Sequence, residues 1–125
     1  MNLAIMTGNL VADPISNPVK VGDKEVTVTN FTIAVRNSFG ENSKPDYVRV
    51  VAWRGLGESC AKYLTKGRRV EVRGPVHINS FINRFKQPVY RMEITADMIE
   101  FVGANPNGQA AEAEAAAEEL PFEEE

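Results

Sequence analysis

From Tyr47 to Trp53 the chain reads Tyr-Val-Arg-Val-Val-Ala-Trp, and no other segment constrains the fold as tightly. In an extended strand, successive side chains point to opposite faces. Val48, Val50 and Ala52 then share one face, small and aliphatic, suited to a packed core. Tyr47, Arg49, Val51 and Trp53 share the other, which carries two aromatics and a guanidinium. The same period runs through Val26 to Arg36, where Phe31, Ile33 and Val35 fall opposite Asn30, Thr32, Ala34 and Arg36. Two neighbouring strands, each with one aliphatic face, predict a sheet packed on one side.

Further strands are predicted over Leu3 to Val11, ended by Asp13-Pro14, and over Arg69 to Arg73. Val76 to Phe85 and Val89 to Val102 form a long final pair turning at Lys86-Gln87-Pro88. In Val76 to Phe85 the apolar face is Val76, Ile78, Ser80 and Ile82, and Phe81 stands between Asn79 and Asn83 on the other. One helix interrupts the strands. Leu56, Cys60 and Leu64 recur at helical spacing beside Tyr63, Lys62 and Lys66 favour its C-terminal dipole, and Gly67 supplies a stop. A short helix between the third and fourth strands predicts an all-β, five-stranded Greek-key OB-fold barrel.

The net charge of −3 conceals a division. Every Lys and Arg lies between Lys20 and Arg91, and residues 1–103 carry 14 basic against 10 acidic groups. Residues 104–125 carry seven glutamates and no cation. That segment opens on Asn105-Pro106-Asn107-Gly108 and continues as an Ala/Glu run with too little apolar bulk for a core, which predicts a disordered acidic tail over 104–125 behind a single domain over 1–103. Leu120, Pro121 and Phe122 stand among its carboxylates as a candidate partner-binding segment. A single cysteine, Cys60, excludes an internal disulfide framework. The first residues lack the basic and apolar regions of a signal peptide, and no run approaches a membrane span, so a cytoplasmic protein is expected.

No Gly-rich phosphate loop, no paired catalytic carboxylates and no metal-ligand spacing is present, so neither catalysis nor a cofactor is expected. The lone His77 has no companions for a metal site, and Cys60, on the apolar stripe of the helix, reads as a small buried hydrophobe. An aromatic on a strand is more often packing than a binding group, but Tyr47, Arg49, Trp53 and Phe81 all fall off the aliphatic faces. Aromatic rings stack on any nucleobase, and Lys and Arg pair with phosphates, so this set suits unpaired nucleic acid. By face and charge, Arg36, Arg54, Arg69, Arg73, Arg84, Lys86 and Arg91 join the candidate phosphate contacts.

These residues resemble the bacterial and phage single-stranded DNA-binding proteins. The resemblance is carried in order by Thr7-Gly8-Asn9-Leu10 with Asp13-Pro14, Asn30 to Val35, Tyr47 to Trp53, Tyr63-Leu64-Thr65-Lys66-Gly67 and Arg69 to Gly74, across residues 2 to about 102. It implies an OB-fold, a homotetramer, no catalysis, no required metal and little sequence preference. Base-stacking positions of the family match Trp53, Tyr47, Phe81 and Phe39, and phosphate-contacting positions match Arg49 and Lys66. Three departures stand out. Asn79 and Ser80 occupy places where the family often has basic residues, Phe39 stands where a tryptophan is frequent, and Pro121-Phe122 is followed by Glu123-Glu124-Glu125 instead of ending the chain.

The expected function is sequence-tolerant binding of single-stranded DNA in replication, recombination and repair, with replication and repair proteins recruited by the tail. Two rivals remain open on sequence: an adaptor whose aromatic face binds protein, and a nuclease on the same barrel. RNA also fits a stacking face.

Overall fold

A computed structural model describes residues 1–36 and 44–103. Eight strands and one helix follow in the order β1 (Ala4–Leu10), β2 (Ile15–Val21), β3 (Lys24–Val35), β4 (Asp46–Trp53), α1 (Arg54–Tyr63), β5 (Arg69–Gly74), β6 (Val76–Ile82), β7 (Pro88–Thr95) and β8 (Met98–Val102). The all-β, OB-like class with one short helix is the observed one, with eight strand segments where five were expected.

The segments lie along one bonded path, β6-β7-β4-β3-β1-β5-β8, with β2 attached to β3. The pairings are antiparallel except β4 with β7, which are parallel. Only Ala96 and Asp97 separate β7 from β8, and there the chain changes partner. The Ala96 N–H donates to the Val51 carbonyl on β4, and the next N–H, that of Asp97, donates to the Arg73 carbonyl on β5. The two limbs of the path are thereby joined through one continuous stretch of chain. Gly74 makes this crossing possible, because a Cβ on it would lie 2.1 Å from the Thr95 carbonyl oxygen.

The core sits inside this wall, where alternate residues of each strand meet. Val48, Val50 and Ala52 of β4 are fully buried, with Phe31 and Ile33 of β3, Val70 and Val72 of β5, Ile94 of β7 and Ile99 of β8. Helix α1 adds Leu56 and Cys60 to the cluster. It is docked by a buried polar contact: the Thr29 hydroxyl donates to the Gly57 carbonyl at 2.7 Å and lies 3.2 Å from the Ser16 hydroxyl. Burial pushes the Cys60 thiol far above its ordinary range, so it stays protonated and acts as apolar filling.

Four expectations are corrected in detail. Ile15–Val21 is a strand, although Asp13-Pro14 reads as an end; among the described residues it pairs only with β3, and such an edge tolerates Pro18. The helix stops at Tyr63 and Leu64 is already extended, so Gly67, at φ +89, serves instead the following turn, where its N–H donates to the Leu10 carbonyl. The β6–β7 turn is Asn83 to Gln87, with Asn83 and Gln87 joined by a backbone hydrogen bond. Finally, the apolar side of β6 is not core. Ile78 and Ile82 are 63% and 73% exposed, because the hairpin runs out beyond the barrel and β6 is the end of the bonded path.

Gly74→Ala is expected to cost about 3 kcal/mol, since overpacking against backbone cannot be relieved by a rotamer change. A thermal melt followed by circular dichroism should show the midpoint fall by roughly 10–20 °C for a domain of this size.

Candidate nucleic-acid interface

The outward side of β4 is the centre of the site. Directly opposed residues of paired strands lie on the same face, so the register fixes which side chains share it. One rung crosses four strands as Thr32, Arg49, Glu93 and His77, and the next crosses β3, β4 and β7 as Asn30, Val51 and Thr95. Val28 opposes Trp53 and Ala34 opposes Tyr47. On the outer hairpin Asn79 opposes Arg91 and Phe81 opposes Val89. Tyr47, Trp53 and Phe81 therefore belong to one continuous face, on which they are 64%, 37% and 44% exposed.

Two cations on this face are held in place. Arg49 Nε lies 3.1 Å from Glu93 Oε2 across the parallel β4–β7 pair. The Nε is buried and lacks an aligned hydrogen-bond acceptor, so the contact is an ion pair without the geometry of a hydrogen bond. Arg91 places its guanidinium 5.3 Å from the centre of the Phe81 ring, within cation–π range. At the hairpin tip Arg84 sits similarly over Phe85. The tip is shaped by Asn83, whose side-chain oxygen accepts from the N–H groups of Phe85 and Gln87, and by Lys86 at φ +62. That turn presents Arg84 and Lys86, both exposed, at the end of the face.

Arg54, at φ +58, follows Trp53 directly and turns the chain from β4 into α1. With Trp53 it lines a cavity. Arg36 is exposed just past the end of β3, beside the strand end that carries Tyr47. The structure does not bring Arg69, Arg73 and Lys66 onto the aromatic face. Arg69 and Arg73 point outward from β5, on the part of the wall made with β1 and β8. There Arg69 donates to Asn9 Oδ1, and Arg73 Nε pairs with Asp97 Oδ1 at 2.9 Å. Lys66 lies in the turn before β5, its backbone N–H donating to Asp13 Oδ1. Phe39 and the tail residues Leu120, Pro121 and Phe122 lie outside the described residues.

Sequence reasoning missed Glu93, Asn83 and Arg68. Glu93 meets Arg49 only through a pairing 44 residues apart in the chain, which no local pattern announces. Arg68 is buried, and its three guanidinium nitrogens have no hydrogen-bond partner among the described residues. Among the described residues no group of three or more His, Cys, Asp or Glu gathers as a metal site would require, and no helix is long and apolar enough to cross a membrane.

A small β-wall closed around one core, with aromatics and guanidinium groups aligned on its outer side, defines an OB-like binding module. The chain belongs to the single-strand binding protein family, whose model matches residues 1–102. That match ends where the sequence turns acidic. The family consists of non-enzymatic DNA-binding proteins. The chain is similar to single-stranded DNA-binding protein B of Bacillus subtilis, 32% identical over 114 residues that cover 89% of this chain and 98% of the relative. It is 31% identical over 105 residues to the single-stranded DNA-binding protein of Oceanobacillus iheyensis, covering 82% of this chain and 63% of that protein. Single-stranded DNA-binding protein 1 of Staphylococcus aureus is 32% identical over 106 residues, with 82% of this chain and 65% of the relative covered. The chain thus spans less than two thirds of two of these relatives and nearly all of the third.

Asn83→Ala should loosen the hairpin tip. With its two accepted hydrogen bonds removed, at about 1 kcal/mol net, the Phe85 and Gln87 amides should exchange with solvent about fivefold faster, while core amides on β4 keep their protection.

Proposed function

We propose that this chain binds single-stranded DNA with little sequence preference. The observation that carries the reading is the single face shared by Tyr47, Trp53 and Phe81, in register with Arg49 and Arg91. Bases stack on the three rings, each stack worth roughly 1–3 kcal/mol and indifferent to base identity. Arg49, Arg91, Arg36, Arg54, Arg84 and Lys86 track the phosphates along and beyond that face. Glu93 holds Arg49 through Nε and leaves its terminal nitrogens for the backbone. Arg69, Arg73 and Lys66 contribute to the general positive field and not to the stacking track.

The domain over 1–103 carries this binding, and the acidic segment 104–125 recruits replication, recombination and repair proteins through Leu120, Pro121 and Phe122. Seven glutamates and no cation also let that segment compete weakly for the basic face. The protein works in the cytoplasm as a homotetramer. Support for self-association comes from β1, which is paired with β5 on one side but pairs with β3 only at Asn9 and Leu10, so the β3-facing edge of Ala4 to Thr7 has no strand beside it among the described residues. Exposed Ile5 and Met98 flank Arg73 on the outer side of the same wall.

The primary test is a titration with long oligo-dT that follows the only tryptophan, Trp53, at several salt concentrations. Strong quenching is expected, with log affinity falling against log salt by about 0.7 per phosphate contacted. No quenching and no binding at low salt would transfer the face to a protein partner, and equal affinity for oligo-rU would extend the ligand to RNA. Glu93→Gln removes the carboxylate that pairs with Arg49, so oligo-dT affinity at low salt should rise about twofold to fivefold with little change in stability, the pair being part-exposed. Deletion of 104–125 should leave or raise DNA affinity; a fall would overturn the competition between tail and DNA.

A further inference from the structure

We infer that the cavity beside Trp53 seats one nucleobase of the bound strand and favours bases that carry an exocyclic amino group. The inference rests on the single-stranded DNA reading and adds to it a selective seat on an otherwise tolerant face. The cavity has a volume of about 420 Å³ and is open to solvent. Its walls come from three distant pieces of chain: Trp53 and Leu56 at the junction of β4 and α1, Val21 at the end of β2, and Ala96 in the corner between β7 and β8. Thr95 adds a hydroxyl-bearing side chain, and Arg54 and Asp97 are the charged members of the lining.

The size lies toward the lower end of small-molecule sites, with room for a nucleobase against its one flat aromatic wall. The neighbouring face continues as largely apolar surface, with Lys24 opposite Val21 at its hairpin end. Val28 opposes both Trp53 on β4 and Asn17 on β2, and exposed Ile15, Val19 and Val21 carry that outer side to the hairpin end. A strand leaving the stacking platform past Trp53 therefore meets apolar walls and then the two charged groups.

Those groups set the preference. Asp97 is half exposed, and its Oδ1 accepts from Arg73 Nε at 2.9 Å, which fixes the carboxylate. Its other oxygen has no partner among the described residues. An ionised carboxylate only accepts hydrogen bonds. It suits the amino group of cytosine, adenine or guanine, whereas thymine would present carbonyl oxygens on either side of its single N–H. Arg54 has no ion-pair partner among the described residues and offers donors to the ring nitrogen or carbonyl next to the amino group. Its left-handed backbone, φ +58, is rare for a residue with a side chain, and such conformations concentrate where a site demands them. Here that turn sets Trp53 and Leu56 around the same cavity.

The test uses the full chain and two labelled oligonucleotides, a long oligo-dT and the same strand with one central dC, compared by fluorescence anisotropy. The dC strand is expected to bind about fivefold tighter, within the range of a single specific contact to a base edge. Asp97→Ala, which removes the acceptor, and Val21→Phe, which fills the cavity from an exposed position, should each make the two strands bind equally. Thermal melts confirm that each variant is folded. Binding of oligo-dT without a preference for the dC strand overturns the seat and leaves the DNA-binding reading standing. A preference that survives in both folded variants also overturns it. Failure of either strand to bind overturns the seat and the reading beneath it together.

Discussion

The change of partner at Ala96–Asp97 is the constraint on which the rest of the structure depends. Two consecutive N–H groups donate to strands on different parts of the wall, Ala96 to β4 and Asp97 to β5. Backbone can turn this sharply beside another strand only if nothing projects into the corner, and Gly74 provides that room. The crossing fixes the parallel β4–β7 pairing, and with it the rung that sets Glu93 beside Arg49. It also places Ala96 and Asp97 at the cavity beside Trp53. One steric fact at a buried glycine thus determines which side chains stand next to the aromatic face.

The outward face was legible in the sequence because its signal is local. Val48, Val50 and Ala52 are buried, and Tyr47 and Trp53 exposed, as strict alternation in Tyr47 to Trp53 requires. The helix stripe of Leu56 and Cys60 was legible for the same reason. Strand β2 was not. All seven of its residues are exposed and it contains Pro18, so no burial alternation exists to be read. β6 failed in the opposite way. Its alternation is real, but period-two patterning shows which side chains share a face and not whether anything covers that face. Ile78 and Ile82 extend the core side of the sheet beyond the last residues that enclose it.

The cations show the same limit more sharply. Composition identifies basic residues in the body of the chain, and charge alone treats them as equivalent. The register divides them: Arg49 and Arg91 share the face of the three rings, while Arg69 and Arg73 belong to β5 and are occupied by Asn9 and Asp97. Long-range antiparallel and parallel pairings decide this division, and they are invisible to any window of sequence shorter than the span from β4 to β7.

Stacking and charge play different parts on such a face. A ring offers every base the same attraction, so three exposed rings give affinity without choice. A guanidinium tethered to a carboxylate, as Arg49 is, gives up part of its field but loses the freedom of a long side chain before any ligand arrives. Arg91, laid against Phe81, is restrained in the same sense while its cation stays solvated. Choice requires a polar group fixed at the edge of a base instead of over its face. Along this wall Asp97, anchored by Arg73, meets that description in the concavity beside Trp53, where Arg54 offers further donors. Tolerance on the flat part of the sheet and discrimination at its corner then follow from a single geometry: the rings lie where the sheet is regular, and the fixed edge-binding groups lie where the chain must change strands.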